Sequence, residues 1–356
     1  MSILVINCGS SSVKYKLFEV PSFRLVTKGL IEKIGESNSA CRSHYQAVLS
    51  VFSRIKSCGI DIKDISGIGH RVVHGGEKFK KPTLITSKVI KEIRKYSRLA
   101  PLHNPVNLAG ILASRKVLSK VRQVAVFDTA FHQTIPKYAY IYGLPFEFYS
   151  KFKIRRYGFH GTSHQYVASR ASAMLKKPLS RLKLITVHLG NGCSIAAVDR
   201  GRCIETSMGF TPLEGLIMGT RCGDIDPAVV FYMINRLGLS PSKIEDILNT
   251  KSGLLGISGL SNDIRMIKRA GSKRSLRARL CLDMFVYRIK KYIAAYAGIL
   301  NEVQAVIFTA GIGENNPDII KRITKDLGRF LKRKPRILTI PTDEELMIAR
   351  LTCGKL

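Results

Sequence analysis

One short plan occurs twice in this chain, and a repeated plan limits the fold more than any composition can. Residues 3–7 are a buried-strand pattern, residues 8–12 a tight polar turn, and residues 13–19 alternate with Val13, Tyr15 and Leu17 on one face. A third strand follows over residues 24–31. The order returns in residues 184–189, the turn Gly190-Asn191-Gly192, a strand over 194–198, the turn Arg200-Gly201 and a strand over 202–206. Two copies of strand, glycine turn, strand, strand predict a duplicated domain.

Helical patterns fill the spaces between. Asn104 reads as an N-cap with Pro105 at the first helical position, opening a run through Leu118. Asp226-Pro227 does the same for a helix ending near Gly238, and Thr162 with Gln165 reads as a capping box. A long helix is predicted from about residue 275 to 300, with Leu280, Met284, Tyr287, Ile293 and Tyr296 close to one stripe. It leads into a strand over 305–309 and a third glycine turn, Ala310-Gly311-Ile312-Gly313-Glu314-Asn315, before a helix near Pro317. The class is α/β, and 356 residues with 45% hydrophobic content suggest two domains.

Several function classes fall away. Cys8, Cys41, Cys58, Cys193, Cys203, Cys222, Cys281 and Cys353 show neither a C-x-x-C pair nor metal-ligand spacing, which predicts reduced thiols in a cytoplasmic protein. The apolar run 3–6 ends at Asn7 with no basic flank before it, and residues 293–300 are far too few to cross a bilayer, so neither a leader nor a membrane partner is expected. A net charge of +33 raises nucleic-acid binding as a first thought. The basic residues form short patches, Arg155-Arg156, Lys176-Lys177, Lys290-Lys291 and Lys332-Arg333-Lys334, without aromatic interleaving or a zinc-finger signature. A solvated basic surface with no specific nucleic-acid partner is the expectation.

The glycine turns carry the chemistry. A polyphosphate needs backbone N–H groups aimed into one small space, and residues without bulky side chains let it approach. Asn7-Cys8-Gly9-Ser10-Ser11-Ser12-Val13-Lys14 supplies this, with hydroxyls at Ser10 and Ser12 and the Lys14 ammonium. His188-Leu189-Gly190-Asn191-Gly192 and Gly311-Ile312-Gly313-Glu314-Asn315 are two further turns of this kind. Each alone also reads as an ordinary hairpin or strand-to-helix turn, but three together predict a nucleotide held between domains. A transferring phosphoryl group also needs positive charge. Arg71, in Gly69-His70-Arg71-Val72-Val73-His74-Gly75-Gly76, and Arg221, in Gly219-Thr220-Arg221-Cys222-Gly223, lie in glycine-flanked loops that can bring a side chain to a cleft. Histidines cluster at loop motifs too, at His103, His132 and His160, and His160 between Phe159 and Gly161 has the best claim to a reacting group. Asp128 follows an apolar strand, where ligands of α/β proteins gather.

Taken together these segments resemble the acetate kinase family, within the acetate and sugar kinase, Hsp70 and actin superfamily. The likeness rests on residues 7–14, on Met208-Gly209-Phe210-Thr211-Pro212-Leu213-Glu214-Gly215 running into Gly219-Thr220-Arg221, on Ser252-Gly253-Leu254-Leu255-Gly256, and on Phe308-Thr309-Ala310-Gly311-Ile312-Gly313-Glu314-Asn315. The resemblance implies two duplicated actin-like (ribonuclease H-like) domains with an interdomain active-site cleft. The first would span 1–130 and be completed by about 344–356; the second would span 131–343. It implies reversible, Mg²⁺-dependent phosphoryl transfer from ATP to acetate, giving acetyl phosphate and ADP, with Mn²⁺ able to substitute, and a homodimer. Asn7 and Glu344 would organise the metal. Ser10, Ser12, Lys14, His188, Leu189, Gly190, Asn191, Gly192, Asp263, Ile264, Arg265, Gly311, Ile312, Gly313, Glu314 and Asn315 would hold ATP. Arg71 would bind the carboxylate or acyl phosphate, with Val73, Leu102, His103, Phe159 and Pro212 around it; His160 and Arg221 would stabilise the transition state, and Asp128 would be the acid/base or positioning carboxylate. Two departures stand out. The stretches after Gly29 and from 329 to 336 are shorter than in most relatives, and Cys222 stands where serine is common, which predicts sensitivity to thiol oxidation.

Overall fold

The computed structural model describes residues 1–36, 39, 41–325, 327–329 and 334–356. Lys332 and Arg333 of the last basic patch, and part of each shortened stretch, lie outside the described residues. The chain forms two compact units, one of Met1–Gln133, Gly161–Tyr166 and Asp343–Leu356, the other of Thr134–His160 and Val167–Thr342.

In the first unit, β1 (Ser2–Cys8), β2 (Val13–Glu19), β3 (Leu25–Ile31), β4 (Ile65–Val72), β5 (Thr83–Leu84) and β6 (Arg122–Phe127) form one sheet in the order β3-β2-β1-β4-β6-β5. β1, β2 and β3 pair antiparallel, whereas β1, β4 and β6 run parallel. The apolar run of β1 serves both faces of the sheet, as the two-residue period of a strand requires. Leu4, Ile6 and Cys8 enter one core with Val48, Val51 and Ile55 of the helix His44–Ser57. Ile3 and Val5 enter another with Ile348 and Ala349 of the helix Glu344–Cys353. That second helix lies close against β4 because Gly67 and Gly69 face it. A Cβ at Gly69 would stand 2.4 Å from Thr352 Oγ1, and one at Gly67 2.2 Å from Leu356 Cδ1. Alternation then delivers Arg71 to the same face.

In the second unit, β7 (Lys183–Leu189), β8 (Cys193–Asp199), β9 (Arg202–Thr206), β10 (Ala305–Thr309) and β11 (Arg336–Thr339) are ordered β11-β10-β7-β8-β9. The plan matches the first sheet: three antiparallel strands followed by two parallel ones. Even the irregularity recurs, with the register slipping between Leu17 and Phe18 on β2 and between Ala197 and Val198 on β8, the fifth and sixth residues of each strand. The duplicated α/β plan expected from the sequence is borne out.

Details of the helices differ from expectation. The helix Asn104–Val117 has His103 at its cap, because the Asn104 carboxamide is committed to the backbone N–H and C=O of His74. The helix Ala228–Asn235 is likewise shifted by one, with Pro227 at the cap and the Asp226 carboxylate accepting from Ala228 N–H. Thr162 forms no capping box; it lies inside the helix Gly161–Met174, whose cap is His160 in the left-handed region (φ 57°). Ala310–Asn315 is a short helix of its own rather than a turn. The long helix Leu276–Leu300 forms as predicted, with Ser275 capping it, but it buries Cys281, Phe285, Ile289, Ile293, Tyr296 and Leu300. Leu280, Met284 and Tyr287 face outward. Two apolar stripes lie side by side on that helix, and periodicity alone does not say which one the unit covers. No helix among the described residues is long and apolar enough to cross a membrane.

Candidate active site

In the first unit the ends of β1, β4 and β6 meet the N-terminus of the helix Glu344–Cys353. Arg71, the residue after β4's glycines on the helix-facing side, donates from Nε and Nη2 to Asp128 Oδ2 at 3.0 and 2.5 Å and from Nη1 to Asn7 Oδ1 at 3.3 Å. Glu344 Oε2 lies 3.9 Å from Arg71 Nε. The other oxygen of Asp128 accepts from Thr162 at 3.3 Å. Glu345 accepts from Asn7 Nδ2 at 3.2 Å and pairs with Lys14 at 2.9 Å and Lys16 at 3.5 Å. Asp343 caps the helix through Leu346 N–H, and the helix dipole favours the two glutamates behind it.

Charge here is divided unevenly. Burial opposes the charge on Arg71, but Asp128, Glu344 and Glu345 outweigh it and hold the guanidinium above its ordinary pKa. Burial also works against Glu345, where Lys14, Asn7 and Lys16 win and keep the carboxyl below its usual range. Glu344 has no such surplus of partners. Burial, with Asp128 and Glu345 adding to it against Arg71, pushes its carboxyl up to about 7.

In the second unit the turn Gly190–Gly192 leaves β7, and the short helix Ala310–Asn315 leaves the adjacent parallel strand β10, so the second and third glycine segments lie side by side. A Cβ at Gly190 would be 3.8 Å from that of Ala310, whose own φ of 66° is a strained conformation for a residue with a Cβ. His160 Nδ1 lies 2.9 Å from Ser194 Oγ, and its ring stacks on His188 with centroids 4.2 Å apart. A Cβ at Gly192 would stand 3.1 Å from His160 Cε1 and 3.4 Å from Arg221 Nη1, so this glycine lets the imidazole and the guanidinium close on the turn. Asn191 joins two more segments, accepting from Gly219 N–H at 2.9 Å and from Asn262 Nδ2 at 3.1 Å. Arg221 Nη1 donates to Pro212 O at 3.2 Å and reaches Met218 Sδ at 3.7 Å. Among the described residues no carboxylate pairs with it, and burial pulls its pKa down.

Not every predicted side chain is free to meet a ligand. Leu189 and Ile264 are core residues, so only their backbone could touch one. Asp263 caps the helix Ile264–Ser272 and pairs with Arg265 at 2.6 Å. Glu314 accepts from Ala310 N–H and Thr342 N–H, bracing its own loop, and Asn315 donates to Gly311 O. Gly311 and Ile312 of the same helix remain accessible, while Gly313 is buried. Val73 and Phe159 are buried, Pro212 and His103 partly so, and Leu102 is 72% exposed. Ser10 and Lys14 are exposed and Ser12 half-buried beside the first turn, which Gly9 N–H closes onto Ser12 O at 2.8 Å. The oxidation expected of Cys222 meets a contrary environment, since burial pushes that thiol up and away from the reactive thiolate. Sequence reasoning missed Glu345, Thr162 and Ser194. Only Glu345 left a signal, a second carboxylate in the first turn of a capped helix.

Residues 2–331 match the acetokinase family. The chain is 47% identical to the acetate kinase of Halothermothrix orenii over 393 aligned positions, covering 99% of this chain and 98% of the relative. That alignment is longer than the chain itself, so the relative carries residues absent here. Among solved structures, the acetate kinase of Porphyromonas gingivalis matches with a TM-score of 0.93 at 41% identity, and a propionate kinase from Francisella tularensis with 0.93 at 40%, each pair covering 99% of both chains. The fold is thus the actin-like two-domain α/β fold, and the chain belongs to the acetokinase family.

Proposed function

We propose that this chain is an acetate kinase, moving a phosphoryl group reversibly between ATP and the carboxylate of acetate by direct in-line transfer. The observation that carries the reading is Arg221, a partly buried guanidinium beside His160 and the Gly190–Gly192 turn that no carboxylate of the described residues neutralises. A cation left in that state is completed by an anion, and a transferring phosphoryl group spreads negative charge over three oxygens. His160 and Arg221 would stabilise it. The turn Gly190–Gly192, the Ala310–Asn315 helix and the Asp263 segment would hold ATP, and Ser10, Ser12 and Lys14 are further candidates for binding it. Arg71 would bind the acetate carboxylate, which is already ionised at neutral pH and needs no base. Asp128, held by Arg71 and Thr162, then orients Arg71 rather than taking a proton.

The donor set around Asn7 and Glu344 fits Mg²⁺. Asn7 and Glu344 offer oxygen donors, and burial leaves the Glu344 carboxyl raised although Arg71, 3.9 Å away, offsets part of its charge. No group of three metal-binding side chains converges among the described residues, which suits an ion that keeps much of its shell from water and phosphate. When bound, the ion would neutralise charge developing on the phosphates.

A propionate kinase is the second reading, favoured by the neighbour of that name at nearly equal similarity. A pocket discriminates one methylene by only about 1–3 kcal/mol. An acyl-hydroxamate assay on acetate, propionate and butyrate with MgATP tests both readings. The highest kcat/KM is expected on acetate; equal or better turnover of propionate would transfer the assignment, and no acyl phosphate from any acid would remove it. A homodimer is proposed as well, supported by the outward stripe of Leu276, Leu280, Met284 and Tyr287. Light scattering on the purified protein would return twice the 39.6 kDa chain mass.

A further inference from the structure

The segment 207–224 carries both Pro212 and Arg221 without one residue of helix or strand, so something other than a ladder must fix it. Two carboxylates do this. Asp224 accepts from Gly215 N–H at 2.8 Å and from Tyr292 OH at 2.7 Å, and its own N–H returns to Gly215 O at 3.0 Å, which closes the loop containing Arg221. Glu214 closes the preceding turn. Its Oε2 accepts from Tyr142 OH at 2.5 Å, and the same hydroxyl accepts from Phe210 N–H at 2.8 Å. Its Oε1 accepts from Arg156 Nη2 at 2.6 Å, while Arg156 Nη1 grips the carbonyls of Thr206 and Ser207 at the foot of the turn. The carboxylate fills the space a side chain at Gly209 would need, 1.6 Å from that Cβ position. Burial, with the Glu214 charge adding to it, pushes the Tyr142 phenol up, so it stays a donor.

The far side of this turn presents Pro212 O, the acceptor that holds Arg221 Nη1 at 3.2 Å. We propose that Glu214 and Tyr142 are positioning residues for Arg221: the carboxylate, through the phenol, fixes the turn whose carbonyl aims the guanidinium. The inference rests on the acetate kinase reading. It explains why a carboxylate and a tyrosine with no role toward either substrate are built into this turn, and why Arg221 can be aimed without a carboxylate partner that would cancel its charge.

The test measures kcat and both KM values for Glu214→Gln, Tyr142→Phe and Arg221→Ala, and for each of the first two combined with Arg221→Ala. Tyr142→Phe should lower kcat about tenfold and Glu214→Gln at least as much, with KM for ATP within about twofold of wild type. In the Arg221→Ala background neither should cost more than about a further twofold, because the group they aim is gone. A merely structural role would multiply through instead, and that result, or a single variant at the wild-type rate, overturns the proposal. Should Glu214→Gln fail to fold, Tyr142→Phe, which removes one oxygen, decides alone. An inactive wild-type protein would remove the kinase reading together with this proposal. An active wild type that loses activity on Arg221→Ala yet keeps it on Tyr142→Phe would remove the proposal only.

Discussion

Two turns at matching places in the duplicated plan are dressed with opposite chemistry. Beside the first, at the end of β1, stand three carboxylates, Asp128, Glu344 and Glu345, interleaved with Arg71, Lys14 and Lys16. Beside the second, at the end of β7, stand two imidazoles and Arg221, whose described contacts are a carbonyl and a thioether. Apart from the added edge strand β5, the strands are the same in order and direction, and the bulge on β2 recurs on β8. What differs is the segment each unit lays across the strand ends: a helix N-terminus with two glutamates in one, an irregular loop delivering arginine in the other. The topology supplies a place where backbone amides gather, and the covering segment decides which sign of charge that place will take.

The contrast breaks most visibly under arginine removal. Arg71→Ala leaves Asp128, 1% exposed, without its main partner, and taking one member from a buried pair costs about 3–5 kcal/mol. Denaturant unfolding should show that loss, and Arg71→Ala with Asp128→Asn should recover much of it. Arg221→Ala should behave the other way. Turnover should fall about 10²- to 10³-fold with ATP affinity nearly intact, as on removing one transition-state donor, while stability holds or rises because no carboxylate is stranded. If Arg221→Ala unfolded the protein as readily as Arg71→Ala, the two sites would not differ in the way their charges indicate.

The sequence was explicit about the strands, because buried runs bounded by glycine turns leave few alternatives; β10 spans 305–309 as read. It was less explicit wherever a side chain had a distant partner. Asn104 looked like a cap, but its carboxamide is spent on the backbone of His74, thirty residues earlier in the chain. Thr162 looked like a capping hydroxyl, but it serves Asp128, and the left-handed His160 starts the helix in its place. Glu314 reads as a residue toward nucleotide, and its carboxylate also braces Ala310 and Thr342, contacts that the local pattern does not announce. Local patterns report propensity, whereas each of these roles is fixed by residues the pattern cannot see.

Acid should probe the first unit through a group outside its site. His70, 1% exposed on β4, is lowered to about 4, chiefly by burial, against the hydrogen bond to Gln123 that favours its charge. A base whose folded pKa is depressed binds its proton in the unfolded chain first. Stability from this group is therefore complete above the unfolded value of 6.5 and falls as pH drops toward about 4, by about 3 kcal/mol over the window. Unfolding measured across pH 4 to 7 should be less steep in His70→Gln than in wild type by roughly that amount; equal slopes would show that His70 is not kept neutral by the fold.

The smallest effect separates the two turns themselves. Neither Gly9 nor Gly192 has a positive φ, so alanine strains the backbone at neither, and only the neighbours decide. A Cβ at Gly9 meets Ser12 Oγ at 3.0 Å, a hydroxyl that can turn aside. A Cβ at Gly192 meets the His160 ring at 3.1 Å and the Arg221 guanidinium at 3.4 Å, and that ring is pinned between Ser194 and His188. Gly192→Ala should accordingly lower kcat about tenfold at a stability cost of about 1 kcal/mol or less, whereas Gly9→Ala should leave kcat within about twofold. Equal losses from the two would mean that the second turn tolerates displacement as the first does, and that close approach of His160 and Arg221 to Gly192 has no bearing on turnover.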